Sequence, residues 1–364
     1  MKLALRNNLV LPTIVFFFIG QTFLSSQESK EVLNDSKLLI GATLNHHELN
    51  TIKEKLYLKD FKYLTPANAA KQNRIHPKPN VWRWKQINDF IDLSKKHNLQ
   101  VRLHGPVSPQ ASWWAKEDHR TAKELHKNMV EFTTAFAKRF NNEKTVKWMD
   151  VVNETILPNG KWFGPKPGTD KWENPWLKIG LDENGYPKYI LKAFEIAHKN
   201  APNLKFVYNQ NGGMQDAMWD KVKQTITYIR SKGLRVDAIG WQAHILLGQT
   251  TAAFVTDTDA EIKKLSNLID WAHKNDLEFH ITELDYFIAD ESKLKQAYKK
   301  QAEVYQKIIN VLKEKTKSGV VTLNLWDLSI RTKKGKVGAF HSIYDSNFKP
   351  NPAYNVIHNA LKNE

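Results

Sequence analysis

Two periods of hydrophobic patterning take turns along the chain. Short runs rich in Val, Ile, Leu and aromatic residues read as buried β-strands. They are "KLLIGATL" (37–44), "FKYLT" (61–65), "QVRLHG" (100–105), "VKWMDVVNE" (146–154), "LKFVYNQ" (204–210), "VDAIGWQAH" (236–244), "EFHITELD" (278–285) and "GVVTLNLWDL" (319–328). Amphipathic runs at helical spacing lie among them, at 84–98, 121–140, 188–202, 217–233, 260–275, 294–315 and 352–363. The run at 84–98 ends in Lys and His, which suit a helix C-terminus, and the run at 217–233 ends in Gly. Strand and helix in alternation imply a parallel sheet. Eight such strands imply an α/β chain closed into a (β/α)8 TIM barrel rather than an open doubly wound sheet. No Gly-rich phosphate loop follows the first strand, which counts against nucleotide binding. No Ser/Gly-rich linker or low-complexity tract divides the chain, so a single domain is expected.

Nearly every strand is apolar until its last residues. Those ends carry Asn45–His46, Asn68, His104, Asn153–Glu154, Asn209, Gln242–His244, Glu283–Asp285 and Trp326–Asp327. In a (β/α)8 barrel the C-terminal strand ends form one rim, where chemistry gathers. Residues two apart in a strand face the same side. Glu283 and Asp285 therefore share a side, as do Gln242 and His244. With neighbouring strands, His244 can bridge Glu283 and Asp285 and hold Glu283 ionised. Asn153 and Glu154 are adjacent, so both face the mouth only if the strand kinks or bulges there. Cleaving a glycosidic bond needs one carboxyl to protonate the leaving oxygen and a second to stabilise or attack the anomeric carbon. Glu154 and Glu283, on opposite sides of the mouth, supply such a pair. A separation near about 5 Å would favour retention through a covalent intermediate.

Composition narrows the setting. The chain starts "MKLALRNNLVLPTIVFFFIGQTFLSSQ": a basic front, an apolar run from Leu9 to Leu24, then Ser25 and Ser26. That order is the one of a secretory signal peptide over 1–26. The apolar run contains Pro12 and is short for a membrane span, although an uncleaved anchor is the alternative. The mature domain would occupy 27–364, secreted or held in the periplasm or at the cell surface, without stable membrane insertion. Cysteine is absent, which excludes thiolate metal sites and a Cys nucleophile. The net charge of +16 suggests either a Lys-rich soluble surface or attraction to a polyanion. An export signal argues against nucleic acid and leaves acidic polysaccharide. His46, His47 and Glu48 invite a metal assignment, but neighbouring side chains diverge and no third ligand stands at useful spacing. No metal or other cofactor is expected, and a monomer is.

The quoted strand ends carry a resemblance. "DVVNE", "IGWQAH" and "ITELD" resemble the three signatures of glycoside hydrolase family 10, the xylanase family, and "FVYNQNGG" resembles its strand-five segment. The likeness runs from "GATLNHHEL" to "FKPNPAYNVI". It implies a (β/α)8 catalytic domain and a retaining mechanism, mostly on β-1,4-linked xylan. It also implies that Glu154 is the acid/base and Glu283 the nucleophile. By the same resemblance Asn153 contacts the 2-hydroxyl of the sugar being cleaved, and His244 and Asp285 support the nucleophile. Gln242 and His104 would line that subsite, with Asn209 and Trp326 also at the sugar, and Asn68 and Lys71 would grip the next sugar. The family's Glu before that Asn and Trp after that Lys are here Ala67 and Gln72. Its Trp–His pair after strand three is replaced by Ser108 and Pro109, and its second late Trp by the loop "SIRTKKGKVG". The departures imply a rewritten glycone pocket and leave a non-xylan, acidic or modified β-glycan as the alternative substrate.

Loop residues carry weaker signals. Trp162, Phe163, Trp172 and Trp176, with Lys161, Lys166 and Lys171, follow strand four. They stack on sugars or form a small loop core; Trp113 and Trp114 pose the same choice. Arg331, Lys333, Lys334 and Lys336 are either a solvated turn or a contact for anionic groups on a polysaccharide. A non-catalytic sugar-binding barrel is the reading of a different class. It has no need of the set Glu154, Glu283, His244 and Asp285.

Overall fold

The computed structural model describes residues 38–167, 172–332 and 337–362. The expected signal segment at 1–26, Lys171, and Lys333, Lys334 and Lys336 lie outside the described residues. The barrel strands are β1 (Leu39–Leu44), β2 (Tyr63–Pro66), β3 (Gln100–Leu103), β4 (Val146–Asn153), β5 (Lys205–Gln210), β6 (Ala238–Trp241), β7 (Glu278–Ile288) and β8 (Val321–Leu325). Each pairs in parallel with the next. β8 returns to β1, with Thr322 opposite Leu39, and the ring closes. The fold is the expected (β/α)8 barrel.

Helices cover the outside: α1 (Ile52–Asp60), α2 (Lys85–His97), α3 (Ala122–Phe140), α4 (Lys188–Asn200), α5 (Asp216–Ser231), α6 (Thr258–Lys274), α7 (Leu294–Lys315) and α8 (Pro352–Lys362). Shorter turns of helix are left unlabelled. In α3, Leu125, Met129, Phe132 and Phe136 fall on one face and are buried. Each such side chain contributes about 1.5–3 kcal/mol by leaving water. Thr121 and Glu124 form a capping box that fixes where α3 begins. α1 is the helix that the pattern does not predict. Only Tyr57 in it is buried and Ile52 is 47% exposed, so it has no apolar stripe to read.

The inside of the barrel is a separate environment. Leu64, Met149, Tyr208 and Ile239 join the main core outside the sheet, while Tyr63, Trp148, Val207 and Ala238 form a small cluster of their own. Alternation along each strand sends the second set inward. Above that apolar layer the interior turns polar. Arg102 of β3 and Asp150 of β4 are both fully buried and ion-paired. Arg102 Nη2 also donates to Thr282 O of β7 at 2.8 Å. Polar residues thus fill the upper barrel before the rim is reached.

Two strands differ from expectation. The sixth, expected as continuous to His244, breaks after Trp241, because Ala243 takes a left-handed φ of 60°. His244–Ile245 then pair separately with Asp285 and Tyr286. β7 runs on to Ile288 because Ala339–His341 pair with it antiparallel, and Arg331–Thr332 pair with that segment in turn.

Candidate active site

β4 supplies the residues on which the site is built. Its register against β5 shifts between Asp150 and Val152, a bulge. Glu154 then turns to a φ of 55°, a conformation costly for a non-glycine residue. Its N–H donates to Asn209 O at 3.1 Å. Bulge and turn together place Asn153 and Glu154 on the same side, as the adjacent pair requires.

Glu154 and Glu283 line one cleft of about 300 Å³. Their surroundings differ. Among the described residues Glu154 is hydrogen-bonded by amides alone: Gln242 Nε2 donates at 2.9 Å and Asn153 Nδ2 at 3.1 Å to Oε1, and Asn211 Nδ2 at 3.2 Å to Oε2. Burial pushes its pKa up, the charge of Glu283 adds to that, and Gln242, Lys71 and His104 oppose it only in part. Glu283 sits between two imidazoles. His104 Nε2 lies 3.5 Å from Oε1 and His244 Nε2 lies 3.4 Å from Oε2. Asn209 Nδ2 donates to Oε1 at 3.2 Å. Burial alone would raise the Glu283 pKa, but the charges and hydrogen bonding of His104, His244 and Lys71 drive it far below the usual carboxylate range.

Each imidazole is backed by an aspartate. His244 Nδ1 lies 2.7 Å from Asp285 Oδ1, and His104 Nδ1 lies 2.7 Å from Asp150 Oδ2. The expected bridge by His244 is therefore present. It depends on the turn at Ala243 rather than on unbroken strand alternation. Burial opposes the charge on His244, yet Asp285 and Glu283 together raise its pKa to about 9. Asp150 and Arg102 were not singled out in the sequence. A charged residue in the middle of an otherwise apolar barrel strand was the available signal.

The remaining candidates fall into three places. Asn68, Lys71, Gln242, Trp326 and Arg331 line the cleft. Lys71 Nζ stands 5.4 Å from the Trp326 ring centre, and Trp326 packs edge-on against His104 and His244. Asn153, His104 and Asn209 lie just beneath, buried. Asn153 Oδ1 accepts from Asn209 (3.0 Å) and Gln242 (3.1 Å), which ties three strands together. Trp172 is 45% exposed and lines both this cleft and an adjoining one of about 190 Å³. Trp162, named as a possible sugar contact, packs elsewhere. Its Nε1 donates to Gly185 O at 3.1 Å and its ring meets Tyr186 and Lys221, so it belongs to the loop's own core. Trp176 is buried, with Nε1 donating to Ser108 O.

Residues unmarked by the sequence complete the rim. Lys53 Nζ donates to Glu48 Oε1 (2.5 Å) and Asp327 Oδ1 (2.7 Å), which binds the loop after β1 to the loop after β8. Gln110, Asn211, Leu247 and Phe340 also line the cleft. Among the described residues no group of three or more His, Cys, Asp or Glu could hold a metal ion. His46 instead pairs with Asp89 at 2.7 Å.

A buried carboxyl with a raised pKa beside an ionised, doubly braced carboxylate is the arrangement that glycosidic cleavage uses. Several known proteins are similar to this chain. The chain is 27% identical to "Endo-1,4-beta-xylanase B" of Thermotoga neapolitana, over 97% of each chain. It is 25% identical to "Endo-1,4-beta-xylanase A" of Thermoanaerobacterium saccharolyticum over 86% of its own length, and it spans only 26% of that relative. The crystal structure of xylanase 10B from Thermotoga petrophila RKU-1 in complex with xylobiose superposes with a TM-score of 0.76 at 23% identity, covering 92% of this chain and 96% of that one. The family model described as Glycosyl hydrolase family 10 matches residues 29–360, and this chain belongs to that family.

Proposed function

We propose that this chain is an exported, retaining endo-β-1,4-xylanase-like hydrolase of a plant or algal polysaccharide. The observation that carries the reading is the opposite bias of two carboxyls in one cleft: Glu154 pushed toward its protonated form and Glu283 toward its ionised form. In the first step Glu283 attacks the anomeric carbon while Glu154 gives its proton to the leaving oxygen. The C–O bond breaks and a glycosyl ester forms on Glu283. That ester no longer carries the negative charge that helped to raise the Glu154 pKa. Glu154, now ionised and more stable as such, takes a proton from water as the water attacks the anomeric carbon. Free Glu283 and sugar of unchanged anomeric configuration result.

Asn153 would contact the 2-hydroxyl, and Gln242 and His104 would shape the same subsite. His244 and Asp285 would keep Glu283 ionised and aimed. Asn68 and Lys71 would hold the next sugar. The adjoining clefts share Trp172, Asn211, His244 and Leu247, which supports binding on both sides of the cut and hence internal cleavage. Export rests on the signal-like segment at 1–26.

The test is hydrolysis of neutral xylan and xylo-oligosaccharides by the wild type, Glu154→Ala and Glu283→Ala. Turnover lost in both variants supports the roles. Full turnover in either removes that residue from the mechanism. Binding of oligosaccharide with no turnover in the wild type would instead support a non-catalytic sugar-binding barrel.

A further inference from the structure

The loop after β8 puts a cation into the cleft that Glu283 lines. Arg331 sits in a two-residue strand that pairs with Ala339–Phe340, and these pair in turn with Phe287 and Ile288 of β7. That pairing lays the Arg331 guanidinium 4.3 Å from the Phe340 ring centre and its Nη2 2.7 Å from Asp285 Oδ2. The other oxygen of Asp285 takes His244. The ring and the carboxylate fix the guanidinium plane, so little conformational freedom is left to lose on binding.

Most of the guanidinium's donors are unused. Guanidinium has five N–H bonds, and Asp285 is its one hydrogen-bond partner among the described residues. Nε is buried with no acceptor among the described residues. A buried donor without an acceptor is costly and asks for a ligand. The side chain is nonetheless 30% exposed and lines the cleft. Lys71 lines the same cleft, is 4% exposed, and makes no ion pair among the described residues. Burial lowers its pKa and the charge of Arg331 lowers it further, against the pull of Glu283 and Glu154. The other charges are already matched: Asp327 and Glu48 share Lys53, while Glu283 has His104 and His244.

We propose that Arg331, anchored by Asp285 and aided by Lys71, receives an anionic group on the substrate, a sugar carboxylate or a sulfate ester. This rests on the hydrolase reading above and names the substrate class of that site. The chain's net charge of +16 would bring such a polyanion to the cleft faster at low salt.

The experiment compares kcat/KM on three oligosaccharides of one backbone: neutral, uronic-acid-substituted and sulfated. Wild type, Arg331→Met and Arg331→Lys are assayed on each. The readout is the ratio of acidic to neutral kcat/KM, which cancels any general effect on Asp285. The proposal expects a wild-type ratio above one that falls about ten- to a hundredfold in Arg331→Met, the loss typical of a charge-assisted hydrogen bond. Arg331→Lys should recover part of it. The arm with the larger loss names the anion, carboxylate or sulfate. Binding to Glu283→Gln with and without Arg331→Met, by calorimetry, reads the same preference where turnover is slow. A wild type that cleaves the neutral compound with no acidic preference, or a ratio unmoved by Arg331→Met, overturns this proposal and leaves the hydrolase reading standing. A wild type that cleaves none of the three, with the acidic preference still present in calorimetry, overturns the hydrolase reading alone.

Discussion

Replacing His244 by glutamine removes a cation and spares most of the shape around Glu283. The imidazole Nε2 is 3.4 Å from Glu283 Oε2, and its charge is held by Asp285 at 2.7 Å. Glutamine fits the space and can donate a hydrogen bond, but it carries no charge. A charge-assisted interaction of this kind contributes about 1.5–3 kcal/mol, and one pKa unit corresponds to about 1.4 kcal/mol. The Glu283 pKa should therefore rise by about one to two units in His244→Gln. It starts from a strongly lowered position, so the acid limb of kcat/KM, which reports loss of the ionised nucleophile, should move to higher pH by the same amount. Near the optimum, kcat/KM should fall about ten- to a hundredfold through weaker transition-state support. Asp285 keeps Arg331 as a partner, so the variant should still fold. The assay is kcat/KM against pH on an aryl β-xylobioside, with melting curves as the control. An acid limb that stays in place, with kcat/KM within twofold of wild type, would refute the claim that His244 holds Glu283 ionised.

Four further outcomes are expected. The His244 pKa is raised from 6.5 to about 9, so its pairing stabilises the fold fully below pH 6.5 and is lost as pH rises through about 9. The melting temperature of the wild type should fall across that window, and that fall should be absent in His244→Gln. Asp150→Ala strands Arg102 without its counter-charge inside the barrel and should cost about 3–5 kcal/mol in denaturant unfolding; a loss below 1 kcal/mol would contradict the buried pair's role. Gly240→Ala puts a Cβ 2.4 Å from Asn209 Oδ1, displacing the amide that holds Asn153 and Glu283. Its kcat should drop about a hundredfold, and wild-type kcat would show that Asn209 does not position the site. Trp172→Ala should raise KM with little change in melting temperature, while Trp162→Ala should lower the melting temperature with little change in KM; the reverse pattern would exchange their roles.

Local patterning made the barrel legible. Eight apolar runs and their polar ends mark the strands because each strand is buried on both faces until it reaches the rim. α7 shows the same for helices, with the observed bounds equal to the expected 294–315. α1 escaped because it rests few apolar side chains on the barrel. That Glu154 and Glu283 share one cleft could be expected from their places at the ends of strands four and seven, and the His244 bridge from two-residue spacing once strands six and seven were taken as neighbours. The turn at Ala243 could not, since a left-handed alanine leaves no local mark. What the sequence hid was mostly non-local. Arg102 and Asp150 meet across 48 positions, and Arg331 and Asp285 across 46. Trp162 and Trp172 look alike in one dimension. Only the approach of Gly185 and Lys221 tells the first from the second.

The central claim is that Glu283 forms a bond to sugar. A 2-deoxy-2-fluoro β-xylobioside with an activated leaving group slows the second step and lets the ester accumulate. Intact-protein mass spectrometry should show one added fluoroglycosyl group, and peptide mapping should place it on Glu283. Glu283→Ala should take up no label. A protein that turns over its substrate yet forms no adduct, or one labelled at another carboxylate, would contradict the account.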